Sequence, residues 1–135
     1  HPDYLARSPV LATAADLRLH RLVGYIPDKI HDKELDYLTE LGASTVALAS
    51  NSVSVQLNWL RAGAGVGVVH DFALPAAPEL VRLIPDQVAL TRSFWLIRHA
   101  DDGRVARLNR FAALLTTEFR AEMARLEAQL PVHEG

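Results

Sequence analysis

The sequence contains no cysteine. Disulfide bonds, iron–sulfur clusters and thiol chemistry are therefore excluded, and the composition is compatible with a reducing cytosol. The sequence also has no run of about 18 uncharged apolar residues, so we expect no segment to span a membrane. Charge of one sign does not dominate: a net charge of −2 and a pI of about 6.3 argue against a nucleic-acid-binding surface spread over this chain. The opening residues, HPDYLARSP, do not resemble a signal peptide.

Apolar residues, in contrast, are plentiful. The sequence has 135 residues, and 50% of them are hydrophobic. This length suits one domain or a large part of one, and this apolar content predicts a folded core rather than disorder. The sequence contains no internal repeat and no low-complexity tract.

The most informative stretch covers residues 45–72, which have the pattern of a strand, a helix and a second strand. Short apolar runs at 45–49 and 65–69 are typical of buried strands. Between them, residues 50–52 (Ser-Asn-Ser) can cap the start of a helix, and Gly63 suits its C-terminal cap. This order predicts a right-handed βαβ unit in a parallel sheet. Residues 50–53 and 70–72, which follow the two strands, should then lie side by side at the rim of a ligand pocket.

Helices and strands alternate along the rest of the sequence, which is the pattern of an α/β fold. Proline-rich residues 73–80 predict an irregular connection or a broken helix. The other predicted elements are helices at 2–5, 13–19 and 33–41, strands at 21–26, 80–84 and 91–99, a turn at 101–103, and a long helix from about residue 104 to just before Pro131.

Five pieces of the sequence occur in a recognisable order: HPDYLARSP, TAADLRLHRLVGY, LASNSVSVQLNWLRAGAGVGVV, ELVRLIPD and RSFWLIRHADDGRVARLNRF. Together they resemble the C-terminal half of the effector-binding domain of LysR-type transcriptional regulators. The resemblance extends from about residue 1 to about residue 119. No single piece is diagnostic, but five pieces in sequence form a specific signal.

The resemblance implies a Rossmann-like subdomain of an effector domain that looks like a type II periplasmic binding protein, with a mixed, mostly parallel sheet flanked by helices and a long C-terminal helix. Residues 1–90 would form the second effector-binding subdomain. Residues 91–135 would hold a return crossover strand and a C-terminal helix that packs on the first subdomain. The winged helix-turn-helix, the linker helix and most of the first subdomain are not in the sequence, so we expect a fragment that does not bind operator DNA alone.

The implied function is effector sensing in a cytoplasmic transcriptional regulator. A small organic effector, for which a carboxylate is a suitable group, would bind in the cleft and bias subdomain closure. DNA would be contacted only through the missing N-terminal domain, and no enzyme activity, cofactor, metal or membrane partner is expected. Without the first subdomain, the apolar stripe of the final helix would be exposed, so we predict a homo-oligomer.

Asn51, Ser52 and Val53 are candidate effector-binding residues at the start of the central helix. The free N–H groups and the dipole of a helix N-terminus attract anions. The alternative is that these residues only cap the helix, which typically contributes about 1 kcal/mol. The resemblance favours a role in lining the pocket.

His70, Asp71, Tyr25 and Ile26 are the remaining candidates. His70 stands where the family usually has proline, and it could contact an effector or respond to pH, or it could simply end a strand. Asp71 could line the cleft or begin an ordinary turn. Tyr25 and Ile26 end a strand and could form a third wall of the pocket, although a tyrosine at such a position is more often a core or rim residue.

No catalytic or metal-binding set emerges from the sequence. The six histidines have no i, i+4 pairing, and GAGVG ends a helix and enters a strand, which is the reverse of a dinucleotide fingerprint. Serines 50, 52 and 54 lack the flanking glycines of a nucleophile elbow. The alternatives to a regulator are a fragment of an extracytoplasmic solute-binding protein or a small non-catalytic α/β interaction domain, and an enzyme is the least favoured interpretation.

Overall fold

The computed structural model of this chain describes residues 1–30, 36–43 and 45–130. Its α-helices and strands are α1 (Pro2–Leu5), β1 (Leu22–Gly24), α2 (Tyr37–Glu40), β2 (Leu48–Ala49), α3 (Val53–Arg61), β3 (Val66–Gly67) and α4 (Ala106–Glu127). Its 3₁₀ helices are Ala14–Leu19, Pro27–Lys29, Asp71–Ala76 and Ala100–Arg104. The chain is therefore α/β, with a small sheet and a long C-terminal helix.

The three strands form a parallel sheet in the order β2-β1-β3. Val23 in the middle of β1 aligns with Leu48 of β2 on one side and with Gly67 of β3 on the other. The βαβ unit predicted for residues 45–72 is confirmed as parallel, but its two strands are not neighbours. Helix α3 packs against β1 and β3, so the unit crosses over β1.

Strand β1 is the middle strand of the sheet. All three of its residues are buried, and Val23 has no exposed surface. The core around it consists of Leu17, Leu22, Tyr37, Leu38 and Ala43. A strand with apolar neighbours on both faces and hydrogen-bonded partners on both edges is the most protected part of a sheet. The loops that follow β2 and β3 are therefore positioned relative to β1.

Glycine allows β3 to approach β1 closely. A Cβ atom at Gly65 would overlap the carbonyl oxygen of Arg21, and one at Gly67 would lie 2.8 Å from the carbonyl oxygen of Val23. The N–H of Val66 donates to the Arg21 carbonyl at 2.9 Å, so the space that a side chain would need is used by the ladder itself. The two glycines of GVG are therefore part of the sheet contact and not of a nucleotide-binding loop.

Several local predictions are confirmed. Asp16 accepts a hydrogen bond from the N–H of Thr13 at 2.8 Å and caps the 3₁₀ helix that begins at Ala14. Ser52 is the N-cap of α3, and Gly63 has φ +68° where the helix ends. These features depend on interactions within about four residues, which is why the sequence alone predicts them.

The strands predicted at 80–84 and 91–99 are wrong. Neither segment joins the sheet, and the first ends at Ile84 in a left-handed conformation with φ +46°, which a β-branched residue rarely adopts. In the second segment, Trp95 and Ile97 are 82% and 87% exposed. An apolar run forms a strand only when a neighbour satisfies its N–H and C=O groups, and in the described part of the chain no strand lies beside these residues.

Other boundaries also differ from the predictions. The strands predicted at 21–26, 45–49 and 65–69 shorten to β1, β2 and β3, and the turn predicted at 101–103 is a 3₁₀ helix. Residues 73–80 contain the end of a 3₁₀ helix with Pro75 inside it, which agrees with the predicted broken helix. Of the helix predicted at 33–41, α2 is present, whereas residues 33–35 lie outside the described residues.

We predict that Gly65→Ala lowers the free energy of unfolding by about 1–3 kcal/mol, because the added methyl group must displace the backbone of Arg21. Urea denaturation measures this loss. Gly103→Ala is the matched control, since a Cβ there meets nothing within 4 Å. Equal losses in the two variants would contradict the close approach of β3 to β1.

Candidate functional site

An open cavity of about 770 Å³ lies where the segments after β1 and β3 meet α2 and the start of α3. It extends along residues 80–94 to the C-terminal part of α4. This volume is within the range of small-molecule binding sites. The polar and aromatic residues that line it include Tyr25, Tyr37, Gln56, His70, Asp71, Phe72, Arg82, Arg92 and Phe94.

Four of the seven candidate residues from the sequence line this cavity: Tyr25, Val53, His70 and Asp71. Asn51, Ser52 and Ile26 do not. The expectation that the loops after β2 and β3 lie side by side is wrong, because β1 lies between the two strands. The loop after β1 is therefore the one that adjoins both.

Asn51 and Ser52 have structural partners. The side-chain oxygen of Asn51 accepts from the N–H of Ile26 at 3.3 Å and so ties the loop after β2 to the loop after β1. The hydroxyl of Ser52 accepts a hydrogen bond from the N–H of Val55 at 3.5 Å, and the backbone N–H of Ser52 donates to the hydroxyl of Ser50 at 3.1 Å. The Ser52 contact supports the capping interpretation for that residue, and effector contact by Asn51, Ser52 or Ile26 stays a prediction.

Gln56 is a buried polar connection between α3, β2 and α2. Its side chain is 2% exposed, and its amide N–H donates to the carbonyl of Ser50 at 2.6 Å. Its amide oxygen accepts from the hydroxyl of Tyr37 at 3.4 Å. Because a buried amide without partners costs about 1–3 kcal/mol, these bonds fix the start of α3 against α2 at the wall of the cavity.

His70 lies in an aromatic group at the edge of the cavity. Its ring stacks on Phe72 with a centroid separation of 4.9 Å and an interplanar angle of 10°, and it lies 5.4 Å from the ring of Phe94. Partial burial lowers the pKa of His70 below 6.5, the positive charge of Arg92 lowers it further, and Asp71 acts in the opposite direction. His70 therefore favours the neutral imidazole at neutral pH.

Asp71 forms an ion pair with Arg82, with 3.4 Å between the carboxylate and guanidinium groups. Both side chains are partly exposed, and both residues line the cavity. The pair joins the segment after β3 to the segment at 80–84. The negative charge of Asp71 is thus partly compensated at the cavity wall.

Two tyrosines and an arginine also line the cavity. The rings of Tyr25 and Tyr37 meet edge to face at 6.0 Å, and the guanidinium carbon of Arg92 lies 5.9 Å from the centre of the Tyr37 ring. Burial raises the pKa of Tyr37 to about 12, and Tyr25 adds to this increase, while Arg92 opposes it. The Tyr37 hydroxyl therefore stays protonated at any physiological pH, and its proton is donated to the amide oxygen of Gln56.

Sequence reasoning missed Gln56, Tyr37, Arg92 and Phe94 as site residues. A signal existed for Gln56, since an amide on the apolar face of a predicted helix is expected to have a buried partner. Arg92 and Phe94 have no such local signal, because the segment containing them reaches the cavity through an irregular path. Their position depends on tertiary packing alone.

No group of histidine, aspartate and glutamate side chains suited to holding a metal ion occurs within the described ranges 1–30, 36–43 and 45–130. The same ranges include no helix that is long and apolar enough to cross a membrane.

In parallel α/β sheets, ligands commonly bind beyond the carboxyl ends of the strands, which is where this cavity lies. The family of LysR substrate binding domains matches residues 1–120, so this chain belongs to that family. The resemblance to the effector-binding domain of LysR-type transcriptional regulators is thereby confirmed. Membership associates the chain with transcription regulation and ligand sensing. Comparison with curated proteins and with solved structures gave no match.

We predict that the protein becomes less stable as the pH falls below about 6.5. Unfolded His70 binds a proton near its usual pKa of 6.5, whereas folded His70 has a lower pKa, so the unfolded state binds more protons between the two values. The contribution of His70 to the stability of the folded state is complete above the pKa that His70 has in the unfolded chain. This contribution is lost as the pH falls to the lower pKa that His70 has in the folded chain. Urea denaturation at about pH 7.5 and about pH 5 should show a smaller pH dependence for His70→Phe, which keeps the aromatic stack.

The pKa of His70 itself can be followed by NMR titration. Arg92→Gln should raise this pKa, and Asp71→Asn should lower it, because the two neighbours act with opposite sign. A His70 pKa at or above 6.5 in the unmodified protein, or a pKa shift of the same sign in both variants, would contradict the placement of Arg92 and Asp71 beside a partly buried His70.

Proposed function

We propose that this chain senses a small organic effector, which binds in the cavity beside His70 and Arg92, as part of a LysR-type transcriptional regulator. Family membership supports the regulatory role. The observation that supports the location is the combination of an arginine with several aromatic rings around one cavity.

The arginines of the cavity favour an effector with a carboxylate. Arg82 and Arg92 line the cavity together with Asp71 and Glu127, and Arg82 is paired with Asp71. A guanidinium group can hold a carboxylate through two parallel hydrogen bonds.

Aromatic rings favour an effector that also has an apolar or planar part. Tyr25 and Tyr37 meet edge to face, and Phe72 and Phe94 flank His70. Such rings bind flat apolar groups through burial and offset stacking. An effector with a carboxylate at one end and an apolar body would contact both an arginine and these rings.

In this proposal residues 1–90 form one effector-binding subdomain, and residues 91–135 connect it to the rest of the effector domain. Binding shifts the domain between arrangements only to the extent that the effector has different affinities for them. The chain acts in the cytoplasm without catalysis, and DNA is contacted by a separate domain. The family match favours this regulator over the alternative of an extracytoplasmic solute-binding protein.

We predict that small organic acids raise the thermal unfolding temperature of the chain by a few degrees at saturating concentration, while the matched amides do not. The measurement is a thermal shift assay with a panel of aliphatic and aromatic acids, including succinate and benzoate, each beside its amide. Arg92→Gln should abolish the shift, because it removes the charge that holds the carboxylate.

The control is Arg104→Gln, since Arg104 is exposed and does not line the cavity. Each variant is compared with its own ligand-free state, so a change in basal stability does not enter the result. Stabilisation by amides as large as that by acids, stabilisation that survives in Arg92→Gln, or the absence of any shift across the panel would contradict a carboxylate effector in this cavity.

The regulator and the solute-binding protein differ in what the full coding sequence contains. We expect a winged helix-turn-helix of about 60 residues to precede the effector domain, as in the DNA-binding module of the family that the sequence resembles. Sequencing of the coding region tests this expectation. A secretion signal in place of that module would move the protein outside the cytoplasm and overturn the proposed role.

A further inference from the structure

Asp71 brings a carboxylate of the chain itself into the cavity. It follows His70 directly and begins the 3₁₀ helix Asp71–Ala76, and its carboxylate lies 3.4 Å from the guanidinium group of Arg82. Both residues line the cavity. An effector carboxylate would make the same type of contact with a guanidinium group. Asp71 therefore occupies an arginine that an anionic ligand could otherwise use.

The Asp71–Arg82 pair is longer than two other arginine–carboxylate pairs of the chain. Those two pairs have separations of 2.5 and 2.6 Å, and they are Arg61–Glu79 and Arg125–Glu122. None of their four residues lines the cavity. The side chains of Arg82 and Asp71 keep 32% and 42% of their surface exposed, and pairs of this kind change an equilibrium constant by at most about fivefold. The pair is therefore weak enough for a substitution to release Arg82 without loss of the fold.

Charges at the cavity balance only when Asp71 is counted. Arg82 and Arg92 bring two positive charges to the lining, and Asp71 and Glu127 bring two negative charges. Glu127 is exposed on α4, whereas the carboxylate beside Arg82 is that of Asp71. Removal of the Asp71 charge would thus make a second arginine available to a ligand, and removal of the Glu127 charge would not.

We propose that Asp71 is a specificity-determining residue, which limits the effector to one carboxylate group by occupying Arg82. This role rests on the proposed function, in which Arg92 holds the effector carboxylate. A second carboxylate at Arg82 would have to displace Asp71 and would then lie beside the carboxylate that it displaced. Like charges at close range repel, so a second carboxylate on the effector lowers its affinity.

A purely structural ion pair predicts a different result. If Asp71 only joined the segment after β3 to the segment at 80–84, its replacement would weaken the binding of every acid to a similar extent. A specificity role instead changes the ratio of the affinities for a dicarboxylate and a monocarboxylate. This ratio is measured within one variant, so a loss of stability that affects both ligands cancels.

The test compares benzoate with phthalate, isophthalate and terephthalate. These four acids share one ring, and the three dicarboxylates differ in the separation of their carboxylates. Isothermal titration calorimetry of the 135-residue chain at about pH 7.5, where the carboxyl groups are ionised, gives each dissociation constant. The unmodified chain should bind benzoate more tightly than any of the three dicarboxylates.

Asp71→Asn should reverse or narrow this preference. Asparagine keeps the shape of aspartate but leaves Arg82 without its carboxylate partner. The affinity for at least one dicarboxylate, relative to benzoate, should then rise about fivefold, because Arg82 can hold the second carboxylate. An unchanged ratio for all three isomers would overturn the role of Asp71, as would tighter binding of a dicarboxylate than of benzoate by the unmodified chain.

Glu127→Gln is the matched control. It removes the same charge from the cavity lining but leaves the Asp71–Arg82 pair in place. The ratio of dicarboxylate to benzoate affinity should therefore stay within about twofold of that in the unmodified chain. Equal rises in Glu127→Gln and Asp71→Asn would show an effect of net charge alone and would overturn the proposal.

The requirement for Arg82 is tested in a double variant. Asp71→Asn combined with Arg82→Gln should return the ratio to near its original value, because no arginine is then released. A rise that persists in the double variant would contradict the proposal. Asp71→Ser repeats the test should Asp71→Asn lower the helix content measured by circular dichroism, since serine can also begin a helical turn.

Failure of this inference and failure of the proposed function give different results. Benzoate binding that Arg92→Gln abolishes, together with an unchanged ratio in Asp71→Asn, would overturn only the role of Asp71. The absence of binding of any acid to the unmodified chain and to every variant would overturn the proposed function, and the role of Asp71 with it.

Discussion

Strand β1 is hydrogen-bonded to a parallel neighbour along both edges, and this double pairing determines where the site residues lie. Val23 can have β2 on one side and β3 on the other because Gly65 and Gly67 have no side chain to keep β3 away. The carboxyl ends of all three strands therefore open in the same direction. The loop that carries Tyr25 lies between the loop of Asn51 and that of His70, and all three loops adjoin one edge of the sheet.

Polar side chains connect the loops at this edge to one another and to α2. The Asn51 side chain holds the backbone of Ile26, and Gln56 connects the carbonyl of Ser50 to the hydroxyl of Tyr37. A binding site pays less entropy when its walls are fixed in advance. Asn51, a candidate ligand contact in the sequence, thus holds the backbone beside Tyr25, and Gln56 holds the hydroxyl of Tyr37.

The sequence predicts the features whose causes are local and misses those that depend on a distant neighbour. The N-cap at Ser52, the left-handed Gly63 and the alternation of strand and helix follow from residues a few positions apart. Residues 94–97 fail as a strand because β propensity is satisfied only when another strand lies alongside. Arg92 and Phe94 could not be assigned to the cavity for the same reason, whereas the family resemblance, which rests on the whole order of the chain, is confirmed over residues 1–120.

Aromatic contacts join the cavity to α4. His70 meets Phe94, and Phe94 meets Phe119 of α4, at ring separations of 5.4 and 5.7 Å. A ligand beside His70 would therefore be two ring contacts away from α4. Proximity alone does not couple ligand binding to a change at α4, because a ligand shifts an equilibrium only by the difference in its affinity for the two states. Coupling therefore requires Phe94 to adopt different positions in two arrangements of the chain, so that the effector has different contacts in each.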